Sequence, residues 1–393
     1  MRVLVLAEGL IGGGHWRAAD AVAEALTKLD PTVICHVQYT SRKAEVTPFT
    51  QALSGVYRGM VAAVPQLWGF FYEQEKHVAP PTRSMVGHFY VPKLREILLH
   101  FDPDVVVCTH ALPLQAIATL KHHGIHYPLV CVITDFGVHG YWIDESVDRY
   151  CVATPWLKEQ IQTRFHVDAQ QILVTGIPVH PTLSETPSQQ EARRRLGLDD
   201  RPTALIISGR AGMGRVDVAT ETMLASGRYQ VIAVAGKNPA LFQRLKTLAE
   251  RYENLRAYGY TDQVPLLMSA ADAVLTKPGG LTSSEALALG RPLICFDPIP
   301  GQETRNLDFL IQQGAALAAS TPQEAAVRFM ELTQAPGRLQ HLAQNAARLG
   351  RPHAAYDVAK QVLHLAQDRS EGRHHPMVWP SWSFLPLTRK KTG

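Results

Sequence analysis

The chain opens the same local pattern twice. Residues 2–7, "RVLVLA", are an apolar run that ends in glycines. The helical stretch "HWRAADAVAEALTKL" follows, with Ala18, Ala21, Val22, Ala25, Leu26 and Leu29 at helical spacing. At "TALIISGRAGMGRV" a strand again runs into a glycine loop. A strand feeding a helix across such a turn commits each half to a parallel sheet with helices on its faces. The runs "PTVICHVQY", "DPDVVVCTH", "PLVCVITDF", "DRYCVATPWLKEQIQTRF" and "ILVTGIPVHP" extend the first half, and "YQVIAVAG", "NLRAYGY", "DAVLTKPGG" and "RPLICFD" extend the second. The expected fold is α/β: two Rossmann-like, doubly wound domains facing a cleft. Ligands would sit beyond the carboxyl ends of the strands, where every glycine-rich loop falls.

Polar residues 184–202, "SETPSQQEARRRLGLDDRP", mark the crossing between the halves. The expected domains are therefore 1–183 and 184–351, followed by a helix at 352–368 and a tail at 369–393. A length of 393 residues suits two cores. With 46% hydrophobic and 19% charged residues, the composition excludes a disordered chain. No apolar run reaches membrane-spanning length, and the N-terminal run stops in glycines, so it reads as a strand and not a targeting segment. Five scattered cysteines without CxxC pairing fit a reduced, cytoplasmic protein.

Two segments stand outside the repeat. Basic and acidic residues balance over 1–368, so the net charge of +4 lies in residues 369–393, where Trp379, Trp382 and Phe384 accompany Arg389, Lys390 and Lys391. That tail is either a disordered terminus or an aromatic-basic segment resting on an anionic membrane surface. Residues 46–92 lack strand-helix alternation. Val56, Met60, Val61, Val64, Leu67 and Trp68 share a helical face that Pro65 would bend. They form either an internal helix pair or a surface that touches a membrane or acyl chain. No nucleic-acid partner is expected.

Five motifs carry the chemistry. In "GGGH", Gly12, Gly13 and Gly14 open backbone N–H groups to a ligand, and His15 is placed as a general base; a bare turn with a bystander histidine is the alternative. "TDFGVHGYW" groups Asp135, His139 and Trp142 at a strand end. Asp135 would orient or help deprotonate an acceptor hydroxyl, or the group is a plain turn cluster. A third ligand at metal spacing is missing, so no metal is expected there. "SGRAGMGR" sets Gly209, Gly212 and Gly214 to cradle a diphosphate, without the Lys-Ser/Thr ending of an ATP-type loop. "FDPIPGQETRN" presents Gln302, Glu303 and Asn306, side chains suited to sugar hydroxyls. "KPGGLTSSEALALG" has two readings: Thr282 and Glu285 form a capping box, or Gly279 and Gly280 bring backbone to a ligand that Glu285 also contacts. "DPD" at 102–104 matches a metal motif only superficially, since Pro103 and "VVVC" put it at a strand entry.

Together, "GGGHWRAADAV", "TDFGVHGYW", "TGIPV", "SGRAGMGR", "TKPGGLTSSEALALGRP" and "PIPGQETRN" resemble the monogalactosyldiacylglycerol synthase and processive diacylglycerol glucosyltransferase family, which is related to the N-acetylglucosaminyltransferase that forms lipid II. The resemblance runs from about residue 3 to residue 365. It implies an inverting, metal-independent GT-B glycosyltransferase without cofactors. The C-terminal lobe would bind the UDP-sugar, the N-terminal lobe would bind diacylglycerol, and the helix at 352–368 would cross back to the first lobe. By that likeness Glu285 binds the ribose hydroxyls. Gln302, Glu303 and Asn306 meet the hexose and diphosphate, and His15 acts on the acceptor hydroxyl with Asp135 as competitor. Gly13, Gly14, His139 and Trp142 fall on the acceptor side, while Gly209, Gly212, Gly214, Gly279, Gly280 and Thr282 fall on the donor side. The implied location is peripheral, at the cytoplasmic face of the cell membrane. The alternatives are transfer to an isoprenoid or soluble acceptor, a UDP-sugar epimerase of similar fold, and a non-catalytic UDP-sugar sensor. Arg210, where small residues are frequent, and the tail depart from the family pattern.

Overall fold

The computed structural model describes residues 1–8, 13–40, 90–91, 94–209, 212 and 215–371, with side chains as far as residue 367. Its strands form two six-stranded sheets in which every pairing is parallel. The first holds β1 (Arg2–Ala7), β2 (Ile34–Tyr39), β3 (Val105–Cys108), β4 (Leu129–Val132), β5 (Arg149–Val152) and β6 (Ile172–Val174), in the order β2-β1-β3-β4-β5-β6. The second holds β7 (Thr203–Ile207), β8 (Gln230–Val234), β9 (Leu255–Tyr258), β10 (Ala273–Thr276), β11 (Leu293–Cys295) and β12 (Ala316–Ala318), in the order β12-β11-β10-β7-β8-β9. Five helices bear on the site: α1 (Gly14–Leu29), α2 (Ala111–His122), α3 (Gly280–Ala288), α4 (Gln302–Gln312) and α5 (Ala354–Glu371).

Sequence and burial agree in the inner strands, while the edge strand β2 leaves Ile34 exposed. Val3 to Ala7 of β1 are wholly buried, as befits a run that is apolar at every position and covered on both faces. α1 buries Ala18, Ala19, Ala21, Val22, Ala25 and Leu26, a stripe of small residues that allows close approach. Against it lies α5. Ala355, Val358, Ala359, Val362 and Ala366 share one core with Ala19, Val22 and the β1 valines, so the C-terminal helix completes the first lobe. Each fully buried valine there contributes about 1.5–3 kcal/mol over exposure. The crossing is tight at Gly176, whose φ of +90° suits glycine and where a Cβ would lie 2.6 Å from Arg351 Cβ.

Each sheet has one place where successive connections depart in opposite directions, between β1 and β3 in the first lobe and between β7 and β10 in the second. Crevices form at such points, and the motif loops end there. Cys108, Cys131, Cys151 and Cys295 are buried, and burial pushes their thiols up, so none is a ready nucleophile. Asp104 of "DPD" accepts the Arg2 backbone N–H at 2.7 Å, a structural use at the strand entry. No helix among the described residues is long and apolar enough to cross a membrane. Of the stretch at 46–92, residues 46–89 and 92 lie outside the described residues, whereas Tyr90 and Val91 are buried in the first lobe's core. Of the expected tail at 369–393, residues 369–371 continue the backbone of α5, and 372–393 lie outside the described residues.

Candidate active site

His15 sits in the first turn of α1, beyond β1, beside the residues that follow β3 and β4. Its Nδ1 is 3.1 Å from the Thr109 carbonyl and 2.6 Å from Thr134 Oγ1. A carbonyl only accepts, so Nδ1 carries the proton and Nε2 keeps its lone pair. Thr109 Oγ1 also donates to the His15 carbonyl at 2.8 Å, which ties the two loops together. Around the ring stand His110, at 4.5 Å between centroids and edge-on, and Trp142 at 6.4 Å, with His139 5.9 Å from Trp142. Burial, then the neighbouring His110, pushes the His15 pKa down to about 3. His110 and His139 are driven to about 3 as well, also chiefly by burial. His110 accepts the Leu112 N–H through Nδ1 as the N-cap of α2, which leaves its proton on Nε2. The cluster is thus neutral near pH 7, with a defined tautomer at two of its rings.

Asp135 follows Thr134 and is buried. Its oxygens accept from two residues of the other lobe, Asn306 Nδ2 at 3.0 Å and Gln302 Nε2. Asn306 is fully buried and joins three partners: it accepts the Phe136 N–H at 2.8 Å and donates to Asp135 and to the Pro278 carbonyl at 3.1 Å. Arg305 donates to the Val138 carbonyl at 2.8 Å, and Phe136 stacks on Phe309 at 5.1 Å. The first turns of α4 therefore grip the 134–138 loop. In this closed arrangement the polar atoms of Gln302 and Asn306 serve the clamp between lobes. Burial raises the Asp135 pKa to about 6 against the two amide donors, which lower it.

The donor-side loop differs from its expected local structure. α3 starts at Gly280, behind Gly279 as N-cap, and has no side-chain cap bond, so the capping box of Thr282 and Glu285 does not form. The reason is a close approach: a Cβ on Gly280 would lie 2.0 Å from the Thr134 carbonyl. Only glycine lets the helix begin under the opposite lobe's loop, and Thr282 then falls inside the first turn. Glu285 is neither cap nor open to the cleft here. It is buried, and its Oε1 is 2.8 Å from Arg17 Nη2 on α1. Glu303 caps its own turn by accepting the Ile299 N–H at 2.7 Å and pairs with Lys277 at 3.3 Å. Burial raises its carboxyl's pKa against the pull of Lys277. Gly209 and Gly212 turn the chain after β7, and Asn238 Nδ2 donates to the Gly212 carbonyl at 3.0 Å. Gly214 and Arg210 lie outside the described residues, as does Gly12.

The structure thus brings His15, Asp135, His139 and Trp142 into one loop cluster, with Gly13 and Gly14 at the start of α1. Gly280, Gln302, Glu303 and Asn306 face it from the other lobe. Sequence reasoning did not single out Thr109, His110, Thr134, Arg17, Lys277 or Arg305. A signal existed for some: Thr109 and His110 are the first polar residues after "VVVC", and Thr134 occupies the same place after "LVCVI".

Two facing parallel lobes, with their crevices opposed and polar side chains crossing between them, make up the GT-B fold. Acinetobacter baumannii MurG shares the fold, with a TM-score of 0.56 at 15% identity over 92% of this chain and 99% of that one. So does UDP-GlcNAc 2-epimerase from Neisseria meningitidis, with a TM-score of 0.56 at 16% identity over 93% and 100%. Residues 15–179 match the family model of monogalactosyldiacylglycerol (MGDG) synthase, and residues 216–325 match the glycosyltransferase family 28 C-terminal domain. The processive diacylglycerol beta-glucosyltransferase of Bacillus mycoides (strain KBAB4) is 30% identical over 377 residues, 94% of this chain and 95% of that protein. The chain belongs to this monogalactosyldiacylglycerol synthase and processive diacylglycerol glucosyltransferase family.

Proposed function

We propose that the protein transfers a hexose from a UDP-sugar to diacylglycerol at a membrane surface, with inversion at the anomeric carbon and without a metal ion. The observation that carries this reading is His15, whose Nδ1 is committed to Thr109 so that Nε2 is left as a base at the crevice of the first lobe. In this scheme Nε2 takes the proton of the attacking hydroxyl, the oxygen bonds to the anomeric carbon, and the bond to UDP breaks. A pKa near 3 is low for a base. The negative diphosphate of a bound donor would raise it by favouring the imidazolium. Asp135 positions the loop that carries Thr134. Lys277 and the N-terminus of α3 are the candidates to stabilise charge on the departing diphosphate. The relatives' names, and the contrast between neutral rings on one side and paired charges on the other, support a lipid hydroxyl on one side and a nucleotide on the other. The protein would act peripherally at the cytoplasmic face, with the 369–393 tail on anionic lipid; deleting the tail should weaken liposome binding more than UDP binding.

The test is incubation of UDP-glucose, UDP-galactose and UDP-N-acetylglucosamine with diacylglycerol vesicles in chelator, with products identified by mass and sugar analysis. A hexosyl-diacylglycerol and free UDP are expected. Conversion of the sugar nucleotide without acceptor would instead identify an epimerase, and nucleotide binding without turnover on any lipid extract would identify a sensor.

A further inference from the structure

Arg17 lies two residues beyond His15 on α1, and its Nη2 meets Glu285 Oε1 on α3 at 2.8 Å. The pair spans the two lobes where α1 meets α3: a Cβ on Gly14 would be in ordinary contact, 3.4 Å, with Leu281 Cβ. The two partners are unequal in burial, with 36% of the Arg17 side chain exposed against 3% of Glu285. The second carboxylate oxygen is the notable atom. Glu285 Oε2 is buried and has no hydrogen-bond partner among the described residues. Buried carboxylates ordinarily fill both oxygens, and a bare one disfavours the state that contains it. A group that donates a hydrogen bond to Oε2 would therefore stabilise the closed arrangement, provided that Arg17 still holds Oε1.

We propose that Arg17 is a positioning residue for the donor nucleotide: it fixes Glu285 through Oε1 and leaves Oε2 as the acceptor for a ribose hydroxyl. This rests on the UDP-sugar reading above and extends it, because the N-terminal lobe then takes part in recognising a ribonucleoside diphosphate. The nucleotide enters as α1 and α3 part, and the ribose is gripped as they close again. The planar guanidinium orients the carboxylate in a way that the rotating ammonium of lysine does not reproduce. Donor binding and the placement of His15, on the same turn of α1, are thereby linked.

The experiment is calorimetric titration of the full chain with UDP and with 2′,3′-dideoxy-UDP, in the wild type, Arg17→Met, Arg17→Lys and Glu285→Gln. The readout is the ratio of the two affinities, which does not depend on any fraction of protein that fails to fold. The wild type should prefer UDP. Arg17→Met should reduce that preference by about tenfold, the scale of a hydrogen bond to a charged group, and Arg17→Lys should fall between. Wild-type preference in Arg17→Met together with its loss in Glu285→Gln would overturn the role of Arg17 and leave the donor site intact. Tighter UDP binding in Arg17→Met would also overturn it, by making Arg17 a competitor of the ribose. Undiminished preference in Glu285→Gln would remove the ribose contact itself, and the Arg17 role with it.

Discussion

Beyond β1, β3 and β4 meet three histidines, a tryptophan and two threonine hydroxyls, and every one of these rings is neutral near pH 7. Beyond β10 and β11, the corresponding crevice of the second lobe has Lys277, Glu303 and Glu285, each matched with an opposite charge. The sheets behind them are alike, six parallel strands with one reversal of order apiece. The frame places a crevice, and the first few residues after each strand choose its chemistry. A crevice of neutral rings with a free imidazole nitrogen suits a hydroxyl, whereas one lined by paired charges suits a nucleotide diphosphate. The two are joined by Asn306 and Gln302, which belong to the second lobe and bond to a loop of the first.

The sharpest way to break the comparison is to cut that join. Asn306→Leu removes three hydrogen bonds and leaves the Phe136 N–H and an Asp135 oxygen short of partners in a buried place. The interface should lose about 3–5 kcal/mol, on the scale of 1–3 kcal/mol for each unsatisfied buried group. Lowered thermal stability and a greater radius of gyration in X-ray scattering would show it. An unchanged melting temperature would mean that the lobes are held elsewhere.

A smaller effect separates Asp135 from His15 by pH. The pKa of Asp135 is raised to about 6 from its ordinary 3.8, so between those values the folded protein holds a proton that the unfolded chain releases. Its contribution to stability is present in full below pH 3.8 and is lost as pH rises through 6. If the ionised form is needed to accept from Gln302 and Asn306, kcat/KM should show an acid limb near pH 6 that disappears in Asp135→Asn. His15, at about 3 in the free protein, would not produce that limb. Its persistence in Asp135→Asn would assign it to another group.

The smallest expected change is at Thr134. Thr134→Val removes the hydroxyl 2.6 Å from His15 Nδ1 but leaves the Thr109 carbonyl, so kcat should fall by about tenfold, as when one modest hydrogen bond is lost. UDP affinity should hold, and Thr134→Ser should restore the rate. Equal rates in all three would show that Thr109 alone orients the ring.

Much of this was legible before any coordinates. Strand runs apolar at every position announced parallel sheets buried on both faces, and the glycine loops marked the strand ends where His15, Asp135 and Gly280 lie. What stayed hidden was set by distances between lobes. The Thr282–Glu285 spacing signals a cap, but the cap fails because Gly280 must pass under the Thr134 carbonyl, 146 positions away in the chain. Arg17 gave no signal, since only the closure of α1 on α3 puts it beside Glu285. Local pattern encodes local structure, and the partner chosen by a long polar side chain depends on how the two lobes dock.

The central claim, that the first lobe's crevice supplies the base while the second lobe's holds the donor, is tested most directly by His15→Ala. Transfer of hexose from UDP-sugar to diacylglycerol should fall by about 10²- to 10⁴-fold, the range for loss of a general base, while UDP binds within about twofold of the wild type. Full transfer activity in His15→Ala, or loss of UDP binding in step with activity, would contradict it.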